Sequence, residues 1–219
     1  MQLKPHAFPE KEALRYLGVR GEAPADLLMQ VRQCAQQLMD VCSPRCVWRL
    51  AEKDRLESLG LHFPGEDLAT LLRDCDRVVL FALTLGEQAD VLIRRAGITS
   101  PTAALVLDAC ASALCEACCD SLQQQLEAQL CTEGTFPTDR FSPGYGDLPL
   151  TVQRPLLEAL DAQRRCGILL SPTCIMTPRK SVTAIFGLAN TPQGKRARGC
   201  AFCSMNQNCS FRKAGITCA

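Results

Sequence analysis

The stretch Arg140-Phe-Ser-Pro143-Gly144-Tyr145-Gly-Asp-Leu-Pro149, with Cys174-Ile-Met-Thr-Pro178-Arg-Lys-Ser181-Val182-Thr183 downstream, decides how this sequence is read. Proline followed by glycine suits the two central positions of a type II turn, so residues 134–149, rich in both, read as a loop. On the residues alone Tyr145 is then a core side chain. A helix over 151–165 follows, stopped by Gly167, because glycine takes the left-handed conformation that ends helices. Residues 181–188, Ser-Val-Thr-Ala-Ile-Phe-Gly-Leu, alternate well enough for a strand.

Working outward toward the amino terminus, residues 77–85 are a nearly continuous apolar run that suits a buried strand closed by Gly86. Ser100-Pro101 offers an N-cap with proline at the first helical position, opening a long apolar helix to about Leu130, the central helix of the fold. Leu27, Leu28, Val31, Cys34, Leu38 and Val41 recur at helical spacing over Ala25–Val41, and a short proline-opened helix spans 9–17. Helices and strands without a regular βαβ rhythm predict the α+β class.

The chain has 219 residues, enough for one large domain or a domain with an appendage. With 47% hydrophobic and 21% charged residues, the disordered, collagen and coiled-coil classes drop out. The most apolar segment, 102–122, is broken by Asp108, Glu116 and Asp120, so no membrane span is expected. The first ten residues lack the apolar core of a secretory signal, and a cytoplasmic location is expected.

Two counts are abnormal: 15 Cys and only two His, His6 and His62. Scarce histidine argues against Ser-His-Asp hydrolases, Cys-His proteases and His-ligated metal sites. Cys110, Cys115, Cys118 and Cys119 lie in the apolar helix, where Cys serves as a small buried hydrophobe. Burial is also expected for Cys34, Cys75, Cys131, Cys166 and Cys174. Cys42-Ser-Pro-Arg-Cys46 opens like a Cys-x3-Cys-x2-Cys cluster site, but Arg49 stands where the third ligand belongs. The carboxyl terminus differs, since Cys200, Cys203, Cys209 and Cys218 crowd into 19 polar residues. Four thiolates suit a 4Fe-4S cluster or a tetrahedral zinc; with only one Cys-x2-Cys pair, the asymmetric spacing favours iron–sulfur, and Arg198, Arg212 and Lys213 would offset its negative charge.

Charge is segregated along the chain. Asp161 is the last acidic residue, and residues 162–219 carry nine positives with no counter-charge in that segment, Arg164, Arg165, Arg179, Lys180, Lys195, Arg196, Arg198, Arg212 and Lys213. Such a face suits an acidic partner, an anionic cofactor, or plain solvation.

The segments 140–149, the helix ending Arg165-Cys-Gly167, and 174–183 together resemble the reactivation domain of cobalamin-dependent methionine synthase. That family wraps S-adenosylmethionine (SAM) with an Arg-Pro-x-Pro-Gly-Tyr segment and carries a Pro-x-x-Ser-Val segment on the neighbouring strand. The resemblance implies a C-shaped α+β domain over 1–190, with a mainly antiparallel sheet flanked by helices, followed by a Cys-rich metal-binding tail at 191–219. It places Arg140, Gly144 and Tyr145 on the SAM motif, with Pro143 and Pro149 shaping the loop. Glu116 is a further SAM-binding candidate, within a helical Leu-Cys-Glu-Ala stretch similar to the family's. Phe141 departs from the motif's proline, and the Cys-rich tail has no counterpart in the large enzyme.

The chemistry suits those residue types: a guanidinium can hold the SAM carboxylate through two hydrogen bonds, glycine allows close backbone approach, and an aromatic face attracts a sulfonium. The implied function is a reductive reactivation factor, a methyltransferase-associated component of methionine biosynthesis. It would serve in trans a corrinoid-dependent methyltransferase, methionine synthase foremost, whose cobalamin the partner supplies. The tail cluster would relay an electron from an acidic carrier such as flavodoxin or ferredoxin. Neither nucleic acid nor membrane is an expected partner. The alternative is a non-catalytic SAM-binding or zinc-stabilised interaction protein.

Overall fold

The computed structural model describes residues 1–193 and Gln207. Its elements run α1 (Glu10–Tyr16), α2 (Ala25–Val41), β1 (Arg45–Glu52), α3 (Glu66–Leu71), β2 (Cys75–Thr84), α4 (Glu87–Thr99), α5 (Pro101–Leu130), β3 (Phe136–Pro137), α6 (Gln153–Ala159), α7 (Ala162–Cys166), β4 (Leu169–Leu170), β5 (Met176–Thr177) and β6 (Ser181–Ala189). A four-stranded sheet has the order β1-β2-β6-β3, and β4 and β5 form a separate antiparallel pair.

The position of each strand in the sheet follows from its sequence. β2 and β6 are the central strands, and almost every side chain from Val78 to Thr84 and from Thr183 to Ala189 is buried. Strands covered on both faces read as continuous apolar runs, which is why 77–85 was legible. β1, at one edge, alternates exposed Arg45 and Arg49 with buried Val47. β3, at the other edge, is antiparallel to β6, pairing Phe136 with Ala189 and Pro137 with Leu188. A proline, which cannot donate to a ladder, is tolerated at such an edge.

The fold divides into two compact units. The first comprises 1–47, 82–129 and 161–182, and holds α1, α2, α4, most of α5, α7 and the β4–β5 hairpin. In it α2 buries Val31, Cys34, Ala35 and Leu38, the i, i+3, i+4, i+7 set of one helical face. As expected, Ser100 caps α5, its hydroxyl accepting the Ala103 N–H at 3.2 Å. α5 is long and apolar enough to cross a membrane by length and composition, but it buries Val106, Leu107, Cys110, Leu114, Cys118, Leu122 and Leu126 within the protein, which marks it as a core helix. The second unit comprises 48–81, 130–160 and the chain from 183 onward, and holds α3, β3, α6 and most of β1, β2 and β6.

Two expectations need correction. The helix expected over 151–165 is broken into a 3₁₀ turn at Leu150–Val152, then α6 and α7, because Asp161 sits in the left-handed region (φ 51°) between them. Aspartate tolerates that conformation better than most residues, and its carboxylate accepts the Arg164 Nε–H at 2.6 Å. The loop expected over 134–149 contains β3 and a further antiparallel bridge between Phe141 and Ile185. Gly167, at φ 75°, ends α7 as expected.

Candidate functional site

Backbone hydrogen bonds build the 140–149 loop. The Tyr145 N–H donates to the Ser142 carbonyl at 3.2 Å, and Gly144 has φ 90°, so residues 142–145 form the expected turn with proline then glycine at its centre. The Gly144 N–H donates to the Leu148 carbonyl at 2.9 Å and the Leu148 N–H returns to the Tyr145 carbonyl at 3.1 Å, closing the loop on itself. Pro143 and Leu148 are buried and anchor it from below. Tyr145 is 70% exposed, so the reading of it as a core side chain is wrong. Arg140 is half-buried at the start of the loop.

The loop is tied to the start of α3. The Asp147 carboxylate accepts the Glu66 N–H at 2.6 Å and the Asp67 N–H at 3.2 Å, and the Asp67 carboxylate accepts the Asp147 N–H at 3.3 Å. Gly146 lies against the Asp67 carboxylate and, in the left-handed region at φ 54°, leaves no room for a Cβ there. Asp67, Gly146 and Asp147 thus hold the loop in shape, a role the sequence reading missed. Its one signal was the Gly-Asp pair directly after Tyr145.

The Pro-x-x-Ser segment is also built in. The Ser181 hydroxyl donates to the Pro178 carbonyl at 2.6 Å, fixing the entry to β6. Thr138 pairs with Gly187 through the backbone (3.0 Å), and its hydroxyl accepts the Gly187 N–H at 2.9 Å. Arg140, Gly144 and Tyr145 therefore lie in one loop of the second unit, whereas Glu116 is half-buried on α5 in the first. The phenol of Tyr16, on α1, is pushed up to about 12 by its burial first and then by the charges of Glu116 and Glu12.

The described thiols behave as core groups. Cys34, Cys42, Cys75, Cys110, Cys115, Cys118, Cys119 and Cys166 are buried, while Cys46 and, against expectation, Cys131 and Cys174 are half-buried. Burial pushes the thiols of Cys110 and Cys118 up to about 12 and that of Cys42 to about 11, which keeps them neutral and unreactive. Arg49 donates to the Ala159 carbonyl at 3.0 Å and takes no part in a Cys42–Cys46 site. Among the described residues no group of three or more His, Cys, Asp or Glu side chains could hold a metal ion. Cys200, Cys203, Cys209 and Cys218 lie outside the described residues.

The carboxyl-terminal basic segment does meet counter-charges from elsewhere in the chain. Arg164 pairs with Asp161 at 2.5 Å, and the half-buried Lys180 pairs with Asp108 on α5 at 2.9 Å while also donating to the Ser112 hydroxyl. Lys195, Arg196, Arg198, Arg212 and Lys213 lie outside the described residues.

No family model matches the chain, and no curated protein matches it in sequence. Among solved structures, the crystal structure of the MetH reactivation domain bound to AdoHcy matches 94% of this chain and 83% of its own, with a TM-score of 0.61 and 17% identity. This is the fold of the methionine synthase reactivation domain. The α+β class with an antiparallel sheet, expected from the sequence, is observed. At this identity the likeness carries the architecture of the reactivation domain and leaves the roles of single residues to the geometry of the loop.

Proposed function

We propose that this protein binds SAM and serves the reductive reactivation of a corrinoid-dependent methyltransferase, methionine synthase foremost, acting in trans. The observation that carries the reading is a reactivation-domain fold in which residues 142–145 form a closed turn that leaves Tyr145 exposed beside Arg140 in the sequence. The Arg140 guanidinium is to hold the SAM carboxylate, the Gly144 backbone to approach the ligand, and Tyr145 to lay its ring against the sulfonium or adenine. Glu116, on α5, is a further candidate for the ligand. The partner's corrin, when reduced by one electron, would supply the nucleophile for methyl transfer, and the residues of this chain would hold the sulfonium toward it. Everything asked of this chain is to bind and orient the methyl donor, the positioning contribution to catalysis.

We place the reactivation domain at 1–190 and a metal-binding tail at 191–219. Its donor set, Cys200, Cys203, Cys209 and Cys218, fits a 4Fe-4S cluster that relays the electron from an acidic carrier; zinc is the alternative occupant. Buried thiols such as those of Cys34, Cys110 and Cys118 favour a reducing, cytoplasmic setting.

Titration calorimetry with SAM tests the reading. The wild type should bind, and Arg140→Ala should bind more weakly by about 1.5–3 kcal/mol, the usual worth of a hydrogen-bonded charged partner. Absence of binding by the wild type overturns the proposal. Metal and acid-labile sulfide analysis after anaerobic purification separates an iron–sulfur tail from a zinc one. Serine at any of the four tail cysteines should lower metal content, whereas Cys115→Ala should not.

A further inference from the structure

The chain before α1 runs along α2 and leaves a groove against it. Lys4 fixes one end, its ammonium donating to the Met39 carbonyl at 2.6 Å, and Glu10 fixes the other, its carboxylate accepting the Arg32 Nε–H at 2.7 Å and an Nη2–H at 3.2 Å. The residues between these ties line a groove of about 560 Å³, within the first unit, a volume typical of small-ligand sites. Arg32, Ala35, Gln36, Met39 and Asp40 form one wall, at the i, i+3, i+4, i+7, i+8 spacing of a single stripe along a helix, and His6 and Phe8 stand on the other. Ala35 is buried and Phe8 and Met39 are half-buried, so the floor is apolar while the polar side chains keep to the rim.

The rim holds hydrogen-bonding capacity that the fold leaves over. Glu10 occupies one edge of the Arg32 guanidinium; the other, formed by Nη1 and the second Nη2 hydrogen, has no acceptor among the described residues. A free guanidinium edge takes a carboxylate through two parallel bonds. Asp40 accepts the Gln36 Nε2–H at 2.9 Å on Oδ1, and its Oδ2 has no donor among the described residues. Two carboxylates, Glu10 and Asp40, thus share the groove with one guanidinium, an arrangement that repels a dianionic phosphate and suits a ligand bringing a cation of its own with a single carboxylate. Arg32 and Asp40 stand about 12 Å apart along the axis of α2, too far for the two charges of one amino acid but near the roughly 10 Å of three residues in an extended chain. We propose that this groove binds a short peptide of about three residues, its carboxyl terminus on the free edge of Arg32, its amino terminus on Asp40 and an apolar central side chain over Phe8, Ala35 and Met39. The Gln36 Oε1 accepts a peptide N–H in between. None of the residues assigned to SAM takes part.

The test uses the full chain and the tripeptide Ala-Leu-Ala, with affinity from calorimetry and the contact site from backbone amide NMR shifts. The wild type should bind, with shifts centred on residues 6–10 and 32–40. Amidating the peptide's carboxyl terminus or acetylating its amino terminus should each weaken binding about tenfold, the loss of one charged hydrogen-bonding partner. Arg32→Gln should bind the acid and the amide alike, and Asp40→Asn the free and the acetylated peptide alike. Glu10→Gln keeps the guanidinium and removes its competing carboxylate, so it should bind at least as tightly as wild type; a groove merely held open by the Glu10–Arg32 pair would lose binding in both variants. No saturable binding by the wild type at millimolar peptide, equal wild-type affinity for acid and amide, or loss of binding in Glu10→Gln overturns the proposal. SAM calorimetry on the same samples reports separately on the reactivation reading, and should be unchanged in all three variants.

Discussion

Replacing Asp147 by alanine should loosen the 140–149 loop and lower the stability of the protein by an amount the contacts set. The Asp147 carboxylate caps α3 across 80 residues of chain, accepting the Glu66 N–H at 2.6 Å and the Asp67 N–H at 3.2 Å. Losing a helix cap costs about 1 kcal/mol, and losing an anion beside the amino end of a helix adds about 0.5 kcal/mol at an exposed position. The reciprocal bond, from the Asp147 N–H to the Asp67 carboxylate, survives because alanine keeps the amide. The expected loss is therefore about 1.5 kcal/mol, a fall in Tm of about 3–6 °C for a chain of this length. Asp147→Asn keeps an acceptor and loses the charge, so it should lose about a third as much. Thermal unfolding by circular dichroism measures both, and SAM calorimetry on the same samples should show weaker binding by the alanine variant. An unchanged Tm in Asp147→Ala would refute the cap as what holds the loop.

Gly187→Ala should cost about 1–3 kcal/mol, because a Cβ there runs into the Cys75 sulfur and comes within 2.8 Å of the Leu72 Cδ2. Adding Cys75→Ala should recover a large part of that loss in urea unfolding, and the absence of any recovery would refute the packing account. Stability should also fall in alkali: Cys42, Cys110 and Cys118 keep their protons in the folded state to about 11 or 12 through burial, while the unfolded chain releases them from about pH 9. The folded state then binds more protons, so stability is complete below pH 9 and declines between pH 9 and 11 by roughly 1.4 kcal/mol per pH unit for each thiol fully in its window. Urea titrations at pH 8 to 10.5 should show the decline, reduced in a Cys110→Ala/Cys118→Ala variant; an equal slope in that variant would refute the assignment to the buried thiols.

Much of the fold was legible because its strongest elements obey a single period. α2 matches its expected bounds of Ala25–Val41, since Val31, Cys34 and Leu38 define one face, and β2 and β6 are the apolar runs that central strands require. What was not legible depends on contacts distant in sequence. Leu160 and Ala162 are both buried, so the apolar pattern runs straight through the left-handed break at Asp161 and gives no warning of it. β1 was missed because Cys42 and Cys46 drew attention as a ligand pair, whereas Cys42 ends α2 and Cys46 begins an edge strand. In the candidate site the turn at Pro143-Gly144 was readable from its chemistry. The exposure of Tyr145 and the Asp67–Asp147 exchange were not, since both depend on where α3 meets the loop.

Phe141, which stands where the resemblance leads one to expect proline, ties the 140–149 loop to the sheet. Its N–H donates to the Ile185 carbonyl at 2.8 Å and its carbonyl accepts the Ile185 N–H at 2.8 Å, so the loop is stitched to the central strand β6 one residue after Arg140. A proline lacks the N–H and could make only the second of these bonds. The buried phenyl ring also lies 3.2 Å from where a Cβ on Gly146 would stand, so it packs against the same close approach that Gly146 makes to Asp67. Proline stiffens such a segment through its fixed φ, whereas phenylalanine holds it through a two-bond bridge and a packed ring. Both fix the backbone that carries Arg140, which is what the proposed two hydrogen bonds from its guanidinium to a carboxylate would need in order to be preorganised.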